Sequence, residues 1–233
     1  MRAIGFSTGA LAYSDFKKAL DMLRGTTIDV LELSALREVE LRPLVAALDT
    51  LDLSQFNYIS VHAPSLFPPE HEPHIIDFLE TVVERGWPVI LHPDTIHNHK
   101  LWRRLGAAVC IENMDKRKPI GRSAGELNRV FDLLPEASFC FDIGHARQFD
   151  STMTEAYLLL TAFGRKLRQV HVSEVNTNSK HDVVSYASVL AFREVAHLIG
   201  ADVPLVLETP TVPQDLMAEI ERVREALPVC AEV

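Results

Sequence analysis

The fold of this chain is indicated most directly by the stretch Ser138–His145, which reads SFCFDIGH. A run of apolar, strand-forming residues leads straight to Asp142, and His145 follows three positions later across a turn that contains Gly144. Apolar runs without polar alternation are typical of strands buried on both faces, as in parallel sheets. We therefore expect Asp142 and His145 to lie together at the carboxyl end of a buried parallel strand.

The same arrangement recurs along the chain. Six successive strand-like segments end in a residue that can bind a metal ion: His62 in YISVHAP, His92 in VILHPD, Glu112 in VCIENM, Asp142 in FCFDIGH, His171 in VHVSE and Glu208 in VLETP. Each residue taken alone has a structural explanation, such as a strand-end hydrogen bond or a helix cap. In a barrel of parallel strands all six side chains converge on one mouth, where histidines and carboxylates together suit a divalent cation. The pattern therefore predicts a metal-dependent enzyme.

Apolar runs alternate with amphipathic stretches about eight times. The predicted strands are Ala3–Ser7, Ile28–Leu33, Tyr58–His62, Val89–His92, Ala108–Glu112, Ser138–Asp142, Val170–Val172 and Leu205–Glu208. Strands that alternate with helices predict a parallel sheet with right-handed crossovers, and eight such units predict a single (β/α)8 TIM barrel. A doubly wound open sheet is the alternative, but no GxGxxG motif follows the first strand. Without a linker or a shift in composition, residues 1–233 are expected to form one domain.

Local signals place several of the helices. Ser14 and Ser123 stand where N-cap residues are expected, each directly before an amphipathic stretch. Apolar residues at helical spacing predict a helix over Pro73–Arg85. Pro213 suits the first turn of the last helix.

The composition of the chain narrows its expected partners and its expected cellular compartment. With 23 basic and 32 acidic residues the formal net charge is −9, which lowers the expectation of a nucleic-acid partner because phosphate contacts require basic surfaces. No apolar run approaches the roughly 20 residues of a membrane span, and the N-terminus resembles a strand rather than a signal peptide. We expect a cytoplasmic protein without a membrane partner, and we leave a homo-oligomer open. Cys110 and Cys140 are expected in the core, whereas Cys230 in the tail carries no signal.

Residues in the loops extend the predicted site. His181 and Asp182 follow His171 and can approach the mouth, although His181 is equally well explained as an ordinary loop residue. Glu32, inside the second strand, either supports a metal ligand from within the barrel or makes a structural hydrogen bond.

Basic residues are frequent in the loops after the strands despite the acidic total. They are Arg37, Lys116, Arg117, Lys118, Arg122, Arg147 and Lys180. Arg147 follows the DIGH motif after one intervening residue, so we expect it to contact a phosphate or carboxylate of the substrate, with Lys180 as a further contact. The basic run 116–118 is as well explained by a solvated loop.

Taken in order, these motifs resemble the xylose-isomerase-like superfamily of metal barrels. The matching elements are HAP at His62, HP at His92, IEN at Glu112, D-x-x-H at Asp142 and His145, the strand-end His171 and LETP at Glu208. This superfamily contains sugar isomerases and epimerases and also the endonuclease IV branch of apurinic endonucleases. The motifs span residues 58–210, and the barrel pattern extends the resemblance to nearly the whole chain.

For the isomerase branch, the resemblance implies one metal ion with four ligands. These are Glu112, Asp142, His171 and Glu208. The two glutamates are then also catalytic and move the proton of the substrate, while His145 contacts the substrate.

For the endonuclease IV branch, the resemblance implies a second metal ion at His62 and His92, bridged through Glu112. A third metal ion would use His145, His181 and an aspartate two residues before the latter.

This sequence departs from the endonuclease IV pattern at the third metal. Ser179 stands where the aspartate is expected. Asp182 is a candidate substitute, and the third site is left open.

Imidazole and carboxylate ligands without thiolates favour Zn or Mn over Mg. The sequence favours isomerisation or epimerisation of a small sugar or sugar phosphate by carboxylate-mediated proton transfer. The principal alternative is an endonuclease IV-like zinc phosphodiester hydrolase with two or three metals. A metal-dependent dehydratase or aldolase, and a barrel that only binds metal and ligand, are further alternatives.

Overall fold

The computed structural model describes residues 2–229, so Cys230 and the residues after it lie outside the described part. Its strands are β1 (Ile4–Ser7), β2 (Val30–Ser34), β3 (Tyr58–His62), β4 (Val89–Leu91), β5 (Val109–Glu112), β6 (Ser138–Asp142), β7 (Leu167–Val172), β8 (Glu174–Val175), β9 (His181–Asp182) and β10 (Leu205–Leu207). Eight of them form a closed barrel in the order β1-β10-β7-β6-β5-β4-β3-β2, and every neighbouring pair is parallel. The predicted TIM barrel is confirmed, and the open-sheet alternative is wrong.

The predicted strands agree with the observed ones to within a few residues. Tyr58–His62 and Ser138–Asp142 have the predicted ends, whereas β7 begins at Leu167, three residues before the predicted start. The short antiparallel pair β8–β9, which follows β7 at the mouth, was not predicted. Strands of two residues are too short to show a periodic pattern.

The helices cover the outside of the barrel. They are α1 (Thr8–Ala12), α2 (Phe16–Leu23), α3 (Glu38–Ala47), α4 (Glu72–Val83), α5 (His99–Trp102), α6 (Ala124–Leu133), α7 (Ile143–Phe149), α8 (Thr154–Phe163), α9 (Tyr186–Arg193) and α10 (Leu216–Ala226). None of the helices in residues 2–229 combines the length and the apolar character that a membrane span requires.

One of the predicted helix caps is wrong. Asp15 caps α2, because its Oδ1 accepts a hydrogen bond of 3.1 Å from the backbone N–H of Lys18, whereas Ser14 has a positive φ of 68°. The Ser123 cap of α6 is confirmed, since its Oγ accepts from Glu126 N at 3.3 Å. Pro213 begins a short 3₁₀ turn that leads into α10 rather than lying in α10 itself.

Side chains alternate between the two faces of each barrel strand. In β2, Leu31 and Leu33 join the large apolar core, whereas Glu32 bonds to side chains inside the barrel. Cys110 and Cys140 are buried free thiols that pack with Ile90 in a separate apolar cluster, as expected of core residues. Two residues further along β5 and β6 the same interior face carries the predicted metal ligands.

Candidate metal centre

The carboxyl ends of the strands bring the predicted ligands together in three donor groups. Within each group, one ligand atom per residue lies within 4.8 Å of the others. The first donor group is His62, His92 and Glu112; the central donor group is Glu112, Asp142, His171 and Glu208; the third donor group is Asp142, His145 and His181. All seven residues predicted as ligands are therefore adjacent in the structure.

In the first donor group, two histidines face one oxygen of Glu112. The Nε2 atoms of His62 and His92 lie 3.2 Å and 3.4 Å from Glu112 Oε2. His62 Nδ1 donates to the backbone carbonyl of Ala63 at 2.7 Å. Because that bond places a proton on Nδ1, the neutral imidazole of His62 presents the lone pair of Nε2 to the mouth.

The central donor group surrounds His171. Its Nδ1 lies 3.3 Å from Glu112 Oε1 and 3.6 Å from Glu208 Oε2, and it has no hydrogen-bond partner. Asp142 is opposite His171 in the register of β6 and β7 and is fully buried. Glu112 thus belongs to both the first and the central groups and faces each with a different oxygen.

The third donor group depends on the turn after β6. Asp142 Oδ1 accepts from the backbone N–H of His145 at 2.6 Å, and Asp142 Oδ2 lies 3.4 Å from His145 Nδ1. A Cβ on Gly144 would lie 2.5 Å from Ser173 O, so only glycine allows this turn to approach the end of β7 so closely. The ring of His181 lies 5.4 Å from the ring of His145.

The residues near the missing third-group aspartate have other partners. Ser179 donates through its hydroxyl to Asp115 Oδ1 at 3.0 Å. Asp182 is exposed and accepts from the backbone N–H of Val183, and it belongs to none of the three donor groups. The third donor group therefore has a single carboxylate, Asp142, which it shares with the central group.

Charges inside the site compensate each other through histidine protons. Burial disfavours charge on His145, but Asp142 and Glu112 outweigh it and raise the pKa of His145 to about 10. Burial raises the pKa of Asp142 to about 6. Burial also lowers the pKa values of His92 and His181 to about 4, so these two rings are neutral at pH 7. In the absence of a cation, protonated histidines balance the carboxylates.

The donor atoms fit divalent cations. Two buried donor atoms of the central donor group lack any hydrogen-bond partner: Asp142 Oδ2 and His171 Nδ1. Buried polar atoms are almost always paired, so unpaired ones within a set of histidines and carboxylates are what a metal site leaves when only protein groups are considered.

The donor groups lie at the floor of an open cavity of about 580 Å³. Lys180, Arg117 and Lys118 line this cavity, although Lys118 also pairs with Asp94 at 2.8 Å. Lys180 therefore lies at the mouth, and its contact with a substrate stays a prediction.

Arg147, the other predicted substrate contact, has different neighbours. Its guanidinium donates to Ser188 Oγ at 2.8 Å and lies 3.7 Å from Glu174, and the residue does not line the cavity. Helix α7 turns this side chain away from the mouth.

Two residues of the site were not assigned from the sequence. The side-chain amide of Asn113 makes two bonds of 2.8 Å to the backbone N–H and C=O of Asp142, which holds β6 to the end of β5. Asp115 lines the cavity and accepts hydrogen bonds from Ser179 and from the backbone of Arg117. Their positions one and three residues after Glu112 are the sequence signal of these roles.

Comparison with known proteins supports the fold assignment. No family model and no curated protein matches this chain. Among solved structures, endonuclease IV from Thermus thermophilus superposes with a TM-score of 0.65 at 17% identity, covering 97% of this chain and 99% of that chain. A xylose isomerase domain protein from Alicyclobacillus acidocaldarius gives 0.66 at 15% identity, covering 97% and 98%. A xylose isomerase domain containing protein from Salmonella typhimurium gives 0.61 at 12% identity, covering 97% of both chains. The chain therefore has the same barrel fold as these three structures.

Proposed function

We propose that this protein hydrolyses phosphoester bonds at a centre of two or three divalent cations. The observation that supports this proposal is the position of Glu112, whose two carboxylate oxygens face different histidines. Oε2 lies within 3.4 Å of His62 and His92. Oε1 lies 3.3 Å from the Nδ1 atoms of both His145 and His171. A carboxylate in this position can bridge two cations.

The first donor group is the reason for preferring hydrolysis to isomerisation. A single cation that assists proton transfer in a sugar needs only the central donor group. His62 and His92 are then superfluous, yet both lie against the shared carboxylate of Glu112. When bound, several cations supply Lewis-acid stabilisation of the charge that develops on a phosphoryl group. The mixture of imidazole and carboxylate donors favours Zn or Mn.

The residues of the chain hold and orient the reacting groups. Glu112, Asp142 and Glu208 provide the negative charge that retains the cations, and their burial excludes water that would weaken this attraction. At the rim, Arg117 and Lys180 offer positive charge to an incoming phosphate group.

The cavity and the overall charge favour a small phosphate ester as substrate. A volume of about 580 Å³ lies within the usual range of small-molecule pockets, roughly 300–1,000 Å³. The net charge of −9 opposes the approach of a polynucleotide. Nucleic acid is therefore the less favoured substrate.

The proposal is tested with metal-loaded protein. The purified chain is stripped with a chelator, reloaded with Zn or Mn, and counted for metals by elemental analysis. It is then assayed on an aryl phosphate diester, an aryl phosphate monoester and a duplex with an abasic site. We expect at least two metals per chain and hydrolysis of one or more of these esters.

A matched pair of variants identifies the site responsible. His92→Ala should remove about one metal per chain and most of the hydrolysis. His197→Ala, at an exposed turn remote from the donor groups, should change neither. A protein that holds two metals and cleaves no phosphoester would refute the proposal.

Isomerisation of a small sugar is the second candidate. It is supported by Glu112 and Glu208, since both flank His171 within one donor group and can serve as a pair of proton-transferring carboxylates. One metal per chain, together with exchange of a carbon-bound deuterium from a sugar into water, would favour this candidate over hydrolysis.

A further inference from the structure

A fully buried carboxylate lies inside the barrel, next to the central donor group. Glu32, in the middle of β2, has no exposed surface. Its Oε2 lies 2.9 Å from His171 Nε2 and accepts hydrogen bonds from Gln169 Nε2 at 2.8 Å and from Ser60 Oγ at 3.0 Å. An ionised carboxylate in this environment is strongly unfavourable unless charged or polar groups compensate it. Its presence therefore calls for an explanation beyond packing.

The neighbours of Glu32 are themselves held in place. Tyr58 donates through its hydroxyl to Gln169 Oε1 at 2.8 Å. This bond fixes the orientation of the Gln169 amide, so that its NH₂ group faces Glu32 and His171. Glu32 thus accepts from three sides within a rigid, buried network that joins β2, β3 and β7.

This network favours a proton on one particular nitrogen of His171. An ionised carboxylate can only accept hydrogen bonds, so a proton on His171 Nε2 makes the 2.9 Å approach of Glu32 Oε2 a hydrogen bond, whereas a bare Nε2 would place two lone pairs against each other. Gln169 Nε2 lies 2.8 Å from the same ring nitrogen. The Gln169 amide and the His171 ring therefore lie side by side, and both face Glu32 Oε2. Without the carboxylate, the Gln169 amide would be free to donate to Nε2 and to move the imidazole proton to Nδ1.

The opposite nitrogen points to the mouth. His171 Nδ1 has no hydrogen-bond partner and lies 3.3 Å and 3.6 Å from oxygens of Glu112 and Glu208. With the proton held on Nε2, the neutral ring has its lone pair on Nδ1, between these two carboxylates. This is the arrangement that a cation in the central donor group requires.

We propose that Glu32 is a positioning residue, which makes His171 Nδ1 the ligand atom of the central cation by holding the ring proton on Nε2. It acts through His171 and contacts neither cation nor substrate. The inference rests on the metal centre of the proposed function but not on the reaction, so its test measures metal binding without any substrate.

The test compares two buried glutamates. Affinity for Zn is measured by competition with a chromophoric chelator in the parent protein, in Glu32→Gln and in Glu219→Gln. Glu219 is 3% exposed and lies on α10, outside the barrel. We expect Glu32→Gln to weaken one of the bound cations by about 10- to 100-fold, the usual effect of removing a carboxylate behind a histidine ligand. Glu219→Gln should bind Zn as the parent does.

A spectroscopic measurement separates this role from a structural one. In cadmium-loaded protein with nitrogen-labelled histidine, we expect scalar coupling between cadmium and His171 Nδ1, and its loss or weakening in Glu32→Gln. Parental affinity and coupling in a Glu32→Gln variant that merely unfolds at a lower temperature would overturn the proposal.

A second pair of variants keeps the test decisive if Glu32→Gln does not fold. Tyr58→Phe releases the Gln169 amide without touching Glu32 and should weaken the same cation by a few-fold. In a His171→Ala background, Tyr58→Phe should cause no further loss, because the effect passes through His171. An equal loss in both backgrounds would contradict the proposal.

Discussion

Two layers of the barrel interior, separated by two residues along the same strands, have opposite chemistry. At the mouth, Glu112 and Asp142 face the histidines of the donor groups. One step deeper, Cys110 and Cys140 pack against Ile90 in a cluster without exposed surface. Because side chains on one face of a strand recur every second residue, β5 and β6 each supply one ligand and one core residue. The outer layer thus supplies the ligands and the deeper layer supplies apolar packing. Substitutions in each layer can test the two roles separately.

The largest effect is expected from the ligand layer. Glu112→Gln removes the carboxylate charge shared by the first and central donor groups. Hydrolysis by the reloaded protein should fall by about 10³-fold, equivalent to about 4 kcal/mol of lost charge stabilisation, and the number of bound metals should fall with it. Steady-state assays and elemental analysis check this result. Unchanged metal content would show that Glu112 does not bridge, provided that circular dichroism confirms the fold.

A smaller effect of a different kind is expected from the apolar layer. Ile90→Ala creates a cavity among fully buried side chains and should lower the free energy of unfolding by about 3 kcal/mol. Denaturant unfolding of the metal-free protein measures this loss. The number of bound metals should stay at the parental value, since the side chain of Ile90 packs with the two thiols and supplies no ligand atom. A parallel loss of metal would mean that the two layers are not independent.

The smallest effect is expected from the protons that the histidines of the ligand layer carry in the metal-free protein. In the metal-free protein the pKa of His145 is raised from 6.5 to about 10, so its proton stabilises the fold at neutral pH and this stabilisation is lost as pH rises towards 10. Metal uptake at pH 8 should therefore release protons, whereas His92 and His181, with pKa values of about 4, should release none. Calorimetry in buffers of different ionisation enthalpy counts the protons. His145→Gln should reduce the number, and release that is unchanged in this variant would contradict the assignment.

Much of the barrel was predictable because its signals are local. Continuous apolar runs such as the one before Asp142 mark strands buried on both faces, and β3 and β6 were placed with the correct ends. The ligand types at the strand ends were equally visible, because a parallel barrel brings every carboxyl end to one mouth. The hairpin β8–β9 and the Asp15 cap were missed, since each depends on the conformation of very few residues.

The direction in which a side chain of the site points was not predictable from the sequence. Arg147 lies two residues after the end of the DIGH motif, yet helix α7 turns its side chain towards Ser188 and Glu174 and away from the cavity. Glu32 had two explanations from the sequence, and only its 2.9 Å contact with His171 connects it to the central donor group. A residue's place in the sequence does not define which neighbour its side chain meets.

The sequence by itself determined the barrel, the mouth and the types of ligand, because these follow from hydrophobic period and from the position of each residue on its strand. Tertiary structure alone decided how the ligands are shared. It placed His62 and His92 against one oxygen of Glu112, and His145 and His171 against the other. Bridging depends on distances of a few ångströms between side chains of different strands, and these distances are set by barrel closure and register rather than by local pattern.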